Sequence, residues 1–276
     1  MTAPGTDPQR GEPGSVPALL SVRNLRVEFN TRRGTLVAVD DVSFVAPDAR
    51  ITGLLGPNGA GKSTTLRILY TILKPDGGQA LIDGELAERD NPAVRARLGV
   101  LPHSSGVYAA LTVRENVEYF GRLAGLTRSQ ARGRARELIE LLELSDIADR
   151  RTKGFSQGQK IKTALARALV HAPKNLILDE PTNGLDVPSV RKLRSLLVKL
   201  RSVGHCVLFS SHVMQEVATL CDDVVVIAHG RVVAHGTPEA LRAKAGTEDL
   251  EEAFMRLTGE PEMHDVAVPA APVVPS

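Results

Sequence analysis

A glycine-rich loop in the first third of the chain has the residue types that hold nucleotide phosphates. It follows the pattern G-x-x-x-x-G-K-[ST] and consists of Gly56, Pro57, Asn58, Gly59, Ala60, Gly61, Lys62, Ser63 and Thr64. Glycines allow successive backbone N–H groups to face an anion, and the N-terminus of a following helix adds a favourable partial charge. Lys62 can neutralise the β- and γ-phosphates, and the Ser63 hydroxyl can bind Mg²⁺. The loop therefore predicts a site for ATP and Mg²⁺.

The sequence on either side of this loop has the strand–loop–helix order that the pattern requires. The apolar run Ile51–Leu55 precedes the loop, and Thr64–Leu69 can begin a helix. A plain glycine-rich turn between a strand and a helix is the alternative. The combination of strand, loop, Lys-Ser pair and helix favours the phosphate site over that turn.

A second candidate site lies at the end of the apolar run Leu176–Leu178, which is followed by Asp179 and Glu180. Buried strands do not usually end in paired acids unless a cation or a reaction uses them. Asp179 suits a direct or indirect role at Mg²⁺, and Glu180 suits the base that polarises an attacking water. Taken alone, the pair could equally be a solvated strand end. Beside a phosphate loop, the functional interpretation is favoured.

A third candidate is the segment Phe155–Gln159, which precedes a helical pattern over Lys160–Val170. Ser156 is a good N-cap residue and Gly158 permits close approach to the backbone, so this is a second anion-binding helix start. Simple capping is the alternative, and the segment alone does not decide between them. Its position shortly before the strand that ends in Asp179 favours the functional interpretation.

Short apolar runs and helical patterns alternate along the chain and must position these residues. Near-continuous apolar runs predict strands of a mainly parallel sheet covered on both faces. These runs are Ile51–Leu55, Leu176–Leu178, Val207–Ser210, Val224–Ile227 and Arg231–Ala234. Val22–Phe29 and Val39–Val45 alternate more and predict an antiparallel pair. Apolar spacings of three and four residues between about Thr112 and Leu144 predict two helices inserted into this α/β core.

The bulk composition limits the classes of function that fit. A formal net charge of +2 gives no argument for nucleic acid or for an anionic membrane. No apolar run approaches the ~18 residues of a spanning helix, so we expect that the chain does not cross a membrane by itself. Cys206 and Cys221 lack metal-ligand spacing and are expected to be buried thiols. Residues 1–17 and 260–276 are expected to be disordered tails, the first without the apolar segment of a signal peptide.

The chain resembles the ATP-binding subunits of ABC transporters from Leu20 to about Gly259. The resemblance rests on motifs in the family's order: Gly56–Thr64, the signature-like Phe155–Gln159, Leu176–Glu180, Pro181–Asp186 and Ser210–His212. It implies a P-loop NTPase fold of the ABC ATPase type over residues 18–259. That fold has a mainly parallel sheet core, an antiparallel β subdomain and an α-helical subdomain at about residues 103–160.

The resemblance also implies an ATP site shared between two subunits, most simply a homodimer. The phosphate loop of one copy would face Ser156, Gly158 and Gln159 of the other, and Asp186 would lie at the subunit contact. His212 would lie near the γ-phosphate and stabilise the attacking water against the carboxylate base. Without the family, a histidine at a strand end is more often a structural residue.

Three positions complicate the transfer of roles from the family. Phe29 occupies the place of the adenine-stacking aromatic, but an additional loop, Asn30–Gly34, follows it, and Phe29 could instead be a core residue. The signature normally reads Leu-Ser-Gly-Gly-Gln, whereas Phe155 and Gln157 stand at its first and third places here. His103 stands where the family usually has a glutamine that links Mg²⁺ and water to the membrane partner. It is therefore a candidate at the metal beside Ser63 and Asp179, or else a loop histidine without catalytic duty.

Within the family, the chain is similar to ABC-2 type export subunits and, among these, to sodium-export subunits of the NatA type. The similar stretches are Leu111–Asn116, Phe155–Gln159, Pro181–Val187, Phe209–Val217 and Leu250–Gly259. The resemblance implies a separate ABC-2 type transmembrane permease, with this chain bound to the cytoplasmic face of the membrane.

The surface around Ser104–Tyr119 is the candidate docking groove for that permease, although Tyr108, Leu111 and Val113 could instead be helical-domain core. Drug- or polysaccharide-export subunits share much of the export pattern. The alternative from another class is a soluble ABC-type ATPase in regulation or in a nucleic-acid-linked function. The layout of the chain supplies no nucleic-acid module, so we expect no nucleic acid partner.

Overall fold

The computed structural model describes residues 19–32, 34–89, 91–104 and 106–259. The two expected tails, residues 1–17 and 260–276, lie outside this part of the chain. The strands are β1 (Leu19–Thr31), β2 (Gly34–Pro47), β3 (Ile51–Leu55), β4 (Gly77–Ile82), β5 (Glu85–Leu86), β6 (Leu98–Leu101), β7 (Asn175–Asp179), β8 (Cys206–Ser211), β9 (Asp223–Ala228) and β10 (Arg231–Gly236). The α-helices are α1 (Lys62–Leu69), α2 (Pro92–Ala96), α3 (Val113–Leu123), α4 (Arg128–Leu141), α5 (Gln157–Leu169), α6 (Val187–Ser202), α7 (Met214–Leu220), α8 (Pro238–Ala245) and α9 (Leu250–Thr258).

The main sheet has the strand order β10-β9-β3-β8-β7-β6. Strands β3, β6, β7, β8 and β9 pair in parallel, and every residue of β3, β7 and β8 is buried. Burial on both faces explains why these strands are nearly continuous apolar runs in the sequence. The carboxyl ends of β3, β7 and β8 meet at one edge, which brings the phosphate loop, Glu180 and His212 together.

One strand of this sheet differs from the expectation. Arg231–Ala234 was expected with the parallel strands, but β10 pairs antiparallel with β9. Only His229 and Gly230 separate the two strands, and both have positive φ, 49° and 75°. Such a two-residue connection makes a hairpin, because a parallel crossover needs a dozen or more residues.

The second sheet is antiparallel, with the order β2-β1-β4-β5. The predicted pairing of Val22–Phe29 with Val39–Val45 is confirmed within β1 and β2. Strand β4 completes this sheet beside β1 and was missed from the sequence. It begins Gly77-Gly78-Gln79, which leaves too short an apolar pattern to indicate a strand.

Two helices, α3 and α4, confirm the helical insertion that the spacing predicted. Each begins at a threonine with a capping box, Thr112 before α3 and Thr127 before α4. Gly125, with φ of 93°, lies in the break between the helices, where the left-handed backbone suits a glycine. Leu123, the last residue of α3, is 65% exposed and lies outside the apolar face of this helix. Together with α5, these helices occupy the chain between β6 and β7.

The two cysteines differ in burial. Cys206 is fully buried in β8, as expected, whereas Cys221 is only partly buried. Burial raises the pKa of the Cys206 thiol to about 12. Among the described helices, none is both long and apolar enough to span a lipid bilayer.

Candidate functional site

The phosphate loop follows β3 and leads directly into α1, which begins at Lys62. Gly61 caps this helix with φ of 103°. A Cβ atom at Gly61 would lie 2.6 Å from the carbonyl oxygen of Ala38, and one at Gly56 would lie 2.2 Å from that of Ile227. Side chains are therefore excluded at both glycines by the backbone of neighbouring strands, and the loop lies close against the sheet.

The side chain of Lys62 folds back over this loop. Its Nζ atom donates hydrogen bonds to the carbonyl oxygens of Gly56, at 2.6 Å, and Pro57, at 3.0 Å. Only 4% of the residue is exposed, and Nζ lies 4.0 Å from Oε1 of Glu180. Burial lowers the pKa of Lys62, while the nearby carboxylates of Glu180 and Asp179 oppose the shift. The ammonium is thus already desolvated at the place where an anion would meet it.

Asp179, at the end of β7, has one satisfied and one unsatisfied carboxylate oxygen. Its Oδ1 atom accepts hydrogen bonds from the hydroxyls of Ser210, at 2.7 Å, and Ser63, at 3.1 Å. Its Oδ2 atom is buried and has no hydrogen-bond partner among the described residues. Such an orphaned oxygen beside a serine hydroxyl suits a hard cation with oxygen ligands. The residues present therefore fit Mg²⁺, which commonly binds one or two carboxylates and completes its shell with phosphate and water.

Glu180 makes a different set of contacts from its neighbour. Its Oε1 atom lies 3.4 Å from Nδ1 of His212, and its Oε2 atom lies 3.7 Å from Nδ1 of His103. The backbone of Glu180 is left-handed, with φ of 50°, and its N–H donates to the Ser210 hydroxyl at 3.0 Å. The carboxylate is 11% exposed, whereas the two imidazoles are 45% and 57% exposed. It therefore lies at the base of an open cleft between two histidines.

The cleft has a volume of about 510 Å³ and joins residues that are far apart in the sequence. Its lining consists of Asn58, Ser63, Arg67, His103, Glu180, Asn183 and His212. The structure thus brings part of the phosphate loop, the carboxylate and both predicted histidines to one place. Arg67 and Asn183 were not predicted. Arg67 could have been found, because it lies four residues after Ser63 on the same helix face.

Comparison with known proteins identifies the family. The sequence profile described as ABC transporter matches residues 39–183. The ABC transporter ATP-binding protein NatA of Bacillus subtilis is 38% identical over 238 residues, which are 86% of this chain and 97% of that protein. The chain belongs to the ABC transporter family.

Two further relatives extend the comparison. The Nod factor export ATP-binding protein I of Paraburkholderia xenovorans is 42% identical over 226 residues, 80% of this chain and 73% of that protein. The daunorubicin/doxorubicin resistance ATP-binding protein DrrA of Streptomyces peucetius is 40% identical over 213 residues, 77% of this chain and 64% of that protein.

Solved structures of ABC cassettes share the fold. An ATP-binding subunit of an ABC transporter superposes with a TM-score of 0.79 at 28% identity, covering 87% of this chain and 99% of that one. A dimeric ATP-binding cassette in a post-hydrolysis state, bound to ADP and Pi, has a TM-score of 0.73 at 25% identity, covering 79% of this chain and 98% of that one. The predicted ABC ATPase fold is confirmed, and the chain is an ATP-hydrolysing enzyme.

In this ABC ATPase the signature segment lies at the start of α5. Ser156 is the N-cap: its Oγ accepts from the backbone N–H of Gln159 at 3.2 Å, and the Gln159 side chain accepts from the Ser156 N–H at 3.0 Å. Phe155, which replaces the leucine at the first place of the family signature, is buried. The position thus keeps an apolar residue. None of Ser156, Gly158 and Gln159 lines the described cleft around Glu180.

Gln157, the second departure in the signature, lies on the side of this chain's own carboxylates. It lines a cavity of about 270 Å³ together with His103, Asp179 and Glu180. A Cβ atom at Gly184 would lie 3.3 Å from its Cγ atom, so the glutamine packs closely over the turn after β7. The two unusual residues, Gln157 and His103, are therefore neighbours in space.

Asp186 and Phe29 have clear structural surroundings. Asp186 caps α6 through a hydrogen bond from the Ser189 N–H at 3.1 Å, and its contacts with Ser189 lower the pKa of the carboxyl. Phe29 is 37% exposed on β1, so the alternative of a core aromatic is wrong. Of the additional loop expected after it, Asn30 and Thr31 belong to β1 and Gly34 begins β2, and the Thr31 hydroxyl donates to the Gly34 carbonyl at 2.7 Å.

The candidate docking groove contains both surface and core residues. Tyr108 and Tyr119 are 48% and 45% exposed and meet edge to face, with ring centroids 5.7 Å apart. Val113 is fully buried, as the core alternative predicted, and Leu111 is partly buried. The exposed part of the groove therefore carries a pair of aromatic side chains.

Proposed function

We propose that this chain is the ATP-binding subunit of an ABC-2 type exporter, in which two copies close around Mg-ATP and drive a separate membrane permease. The observation that carries the proposal is the position of the Glu180 carboxylate. It lies between the Lys62 ammonium and the His212 imidazole, at the edge of the sheet where the phosphate loop begins.

The residues of the cleft fit distinct parts of ATP hydrolysis. Phosphate oxygens would replace the loop carbonyls that Lys62 now contacts, and the N–H groups of Gly59–Thr64 would point to the same anion. Ser63 and Asp179 would hold Mg²⁺, which neutralises charge on the phosphate oxygens. His103, which lies against the same cavity as Asp179, is the further candidate at this cation or its water.

Glu180 and His212 would act on the attacking water. Glu180 accepts a hydrogen bond from that water and thereby directs its lone pair at the γ-phosphorus. His212, half exposed to the cleft, donates a hydrogen bond toward the γ-phosphate and keeps the carboxylate in place. Phe29, exposed on β1, would offer a face to the adenine.

A homodimer would complete the site. The N–H groups at the start of α5 lie outside the cleft of their own chain, so the Ser156–Gln159 segment would meet the phosphates of a second copy. Asp186, exposed at the start of α6, would lie at that contact. The dimeric cassette bound to ADP and Pi supports this arrangement.

The export role is supported by the names of similar proteins. Nod factor export and daunorubicin/doxorubicin resistance are the functions named for two of them. We propose attachment to the cytoplasmic face of the membrane through the exposed Tyr108 and Tyr119, with no nucleic acid partner. Sodium is the first cargo to test, because the chain resembles NatA-type subunits and is 38% identical to NatA. A drug is the second, because of the daunorubicin/doxorubicin resistance relative, and a polysaccharide is the third, because polysaccharide-export subunits share much of the sequence pattern.

Copurification and vesicle transport test the proposal. The tagged chain should capture a polytopic membrane protein, and the pair should hydrolyse ATP faster than the chain alone. In inverted vesicles, ATP should drive uptake of radioactive sodium, or else of a fluorescent anthracycline. Vesicles with Lys62→Ala should transport neither. Turnover stimulated by RNA or DNA, with no membrane protein captured, would instead support a soluble ATPase.

A further inference from the structure

A buried carboxylate next to the cleft has no role in the hydrolysis described above. Glu216 lies on α7, four residues after His212, and is 7% exposed. Its Oε2 atom accepts hydrogen bonds from the Thr182 hydroxyl at 2.7 Å and the Ser211 hydroxyl at 3.1 Å. Burying a carboxylate costs free energy unless hydrogen bonds compensate for the lost water. The two hydroxyl contacts supply that compensation at Glu216.

The two hydroxyls belong to the two segments that carry the proposed catalytic pair. Thr182 lies two residues after Glu180, and Ser211 immediately precedes His212. The Ser211 hydroxyl also accepts a hydrogen bond from the Val213 N–H at 2.9 Å, so this bond connects the residues immediately before and after His212. One oxygen atom of Glu216 therefore joins the loop after β7 to the last residue of β8.

The backbone pairing of β7 with β8 stops short of Glu180 and His212. The parallel pairing of β7 with β8 ends at Asp179 and Ser210, one residue before Glu180. Among the described residues, the hydrogen bonds that tie the loop after β7 to the end of β8 involve side chains: the Glu180 N–H donates to the Ser210 hydroxyl, and Glu216 accepts from Thr182 and Ser211. The sheet holds Ser211 through its pairing with Leu55 of β3, whereas the position of the Glu180 loop against that strand end depends on these side-chain bonds.

We propose that Glu216 is a positioning residue for ATP hydrolysis, which holds His212 against Glu180 by accepting hydrogen bonds from Thr182 and Ser211. This inference rests on the proposed roles of Glu180 and His212. Glu216 acts through the loop after β7 and the end of β8, and not by contact with the reacting atoms. Displacements of about 1 Å at a reacting group can lower rates by roughly 10²-fold, so a fixed separation is consequential.

Two substitutions of Glu216 separate hydrogen bonding from charge. Glu216→Gln keeps a carbonyl oxygen that can accept from both hydroxyls, whereas Glu216→Ala leaves neither bond. We expect Glu216→Ala to lower kcat by about 10²-fold with little change in the KM for ATP. Glu216→Gln should restore most of the rate. Equal loss in both variants would overturn the proposal, since it would assign the effect to charge.

A matched control removes the same kind of bond elsewhere. Glu252 on α9 accepts from the Thr247 hydroxyl at 2.5 Å, away from the cleft. We expect Glu252→Ala to lower the melting temperature but to leave kcat unchanged. If both alanine variants lowered kcat alike, the effect of Glu216 would be general destabilisation.

A double-mutant cycle with His212→Ala tests the stated route of action. If Glu216 acts by positioning His212, the double variant should be no slower than His212→Ala alone, because effects of groups acting as a unit are not additive. Multiplied losses would overturn the proposal. Should Glu216→Ala fold poorly, Thr182→Val removes one of the two bonds with little change of volume and should lower kcat by part of the same factor.

The same set of variants distinguishes a failure of the proposed catalytic pair from a failure of the positioning role of Glu216. Full activity in His212→Ala would contradict the proposed catalytic pair itself. A large loss in His212→Ala, with none in Glu216→Ala and Thr182→Val, would contradict only the positioning role. Binding of a fluorescent ATP analogue in each variant shows that changes in kcat do not reflect lost nucleotide.

Discussion

Nδ1 of His212 lies 3.4 Å from Oε1 of Glu180, although the two residues follow different strands of the main sheet. The contact arises because β7 and β8 are adjacent and parallel, so that both strands end at the same edge of the sheet. Lys62 and His103 approach the same carboxylate, at 4.0 Å and 3.7 Å. Three nitrogen-bearing side chains therefore surround the Glu180 carboxylate.

Glu180→Gln should bind ATP but hydrolyse it slowly. The amide keeps the shape of the side chain and loses the negative charge that polarises water, for which losses of about 10²- to 10⁴-fold are typical. Single-turnover hydrolysis and light scattering would show the slow step and a stable ATP-bound dimer. A monomer with normal turnover would contradict the role of Glu180.

Lys62→Ala should abolish stabilisation by ATP. The substitution deletes the ammonium that contacts the loop carbonyls at 2.6 Å and 3.0 Å and that would meet the phosphates instead. Ligand-induced stabilisation follows RT ln(1 + [L]/Kd), so the rise in melting temperature with Mg-ATP should disappear. The control is Lys74→Ala, at an exposed lysine in the segment after α1. An equal shift in both variants would exclude Lys62 from the phosphate site.

Gly61→Ala should lose nucleotide binding and stability together. The added Cβ would lie 2.6 Å from the Ala38 carbonyl, at a backbone φ of 103°. Such strain costs about 1–3 kcal/mol, which denaturant unfolding would measure. Gly59→Ala is the comparison, because its φ is 82° but its Cβ would meet nothing within 4 Å. Equal destabilisation of the two would show that φ, and not the contact with β2, is decisive.

His103→Gln should change the coupling of hydrolysis to transport while leaving ATP affinity intact. His103 is 57% exposed and contacts the Glu180 carboxylate, not the phosphate loop. The ratio of ATP hydrolysed to cargo moved, measured with the permease in vesicles, is the sensitive quantity. His235→Gln on β10 is an exposed control far along the sequence. If coupling is unchanged in His103→Gln, His103 is a loop histidine without a catalytic role.

The parts of the fold that were predicted from the sequence are those whose signal is local. The runs Ile51–Leu55 and Leu176–Leu178 are buried on both faces, so their apolar character is continuous and indicates parallel strands. The N-cap predicted at Ser156 is likewise local, because it satisfies helix N–H groups within four residues and needs no distant partner.

The parts that were missed depend on partners distant in sequence. Strand β4 is a strand because its backbone bonds to β1. Strand β10 is an exception, because its antiparallel direction follows from a local two-residue turn after β9. The proximity of Gln157 and His103, like β4, depends on segments distant in sequence, since the two lie on α5 and after β6. Arg67 and Asn183 reach the cleft through the arrangement of α1 and the loop after β7.

The sequence by itself determined the prediction of a phosphate loop over Gly56–Thr64 and of two acids, Asp179 and Glu180, at the end of an apolar strand, because these signals lie in adjacent residues. Only the tertiary structure decided that Asp179 Oδ2 is buried without a partner and that Glu180 lies between two imidazoles. It also decided that Glu216 joins the loops of Glu180 and His212. These contacts span neighbouring strands, and parallel pairing places residues together that the chain itself keeps far apart.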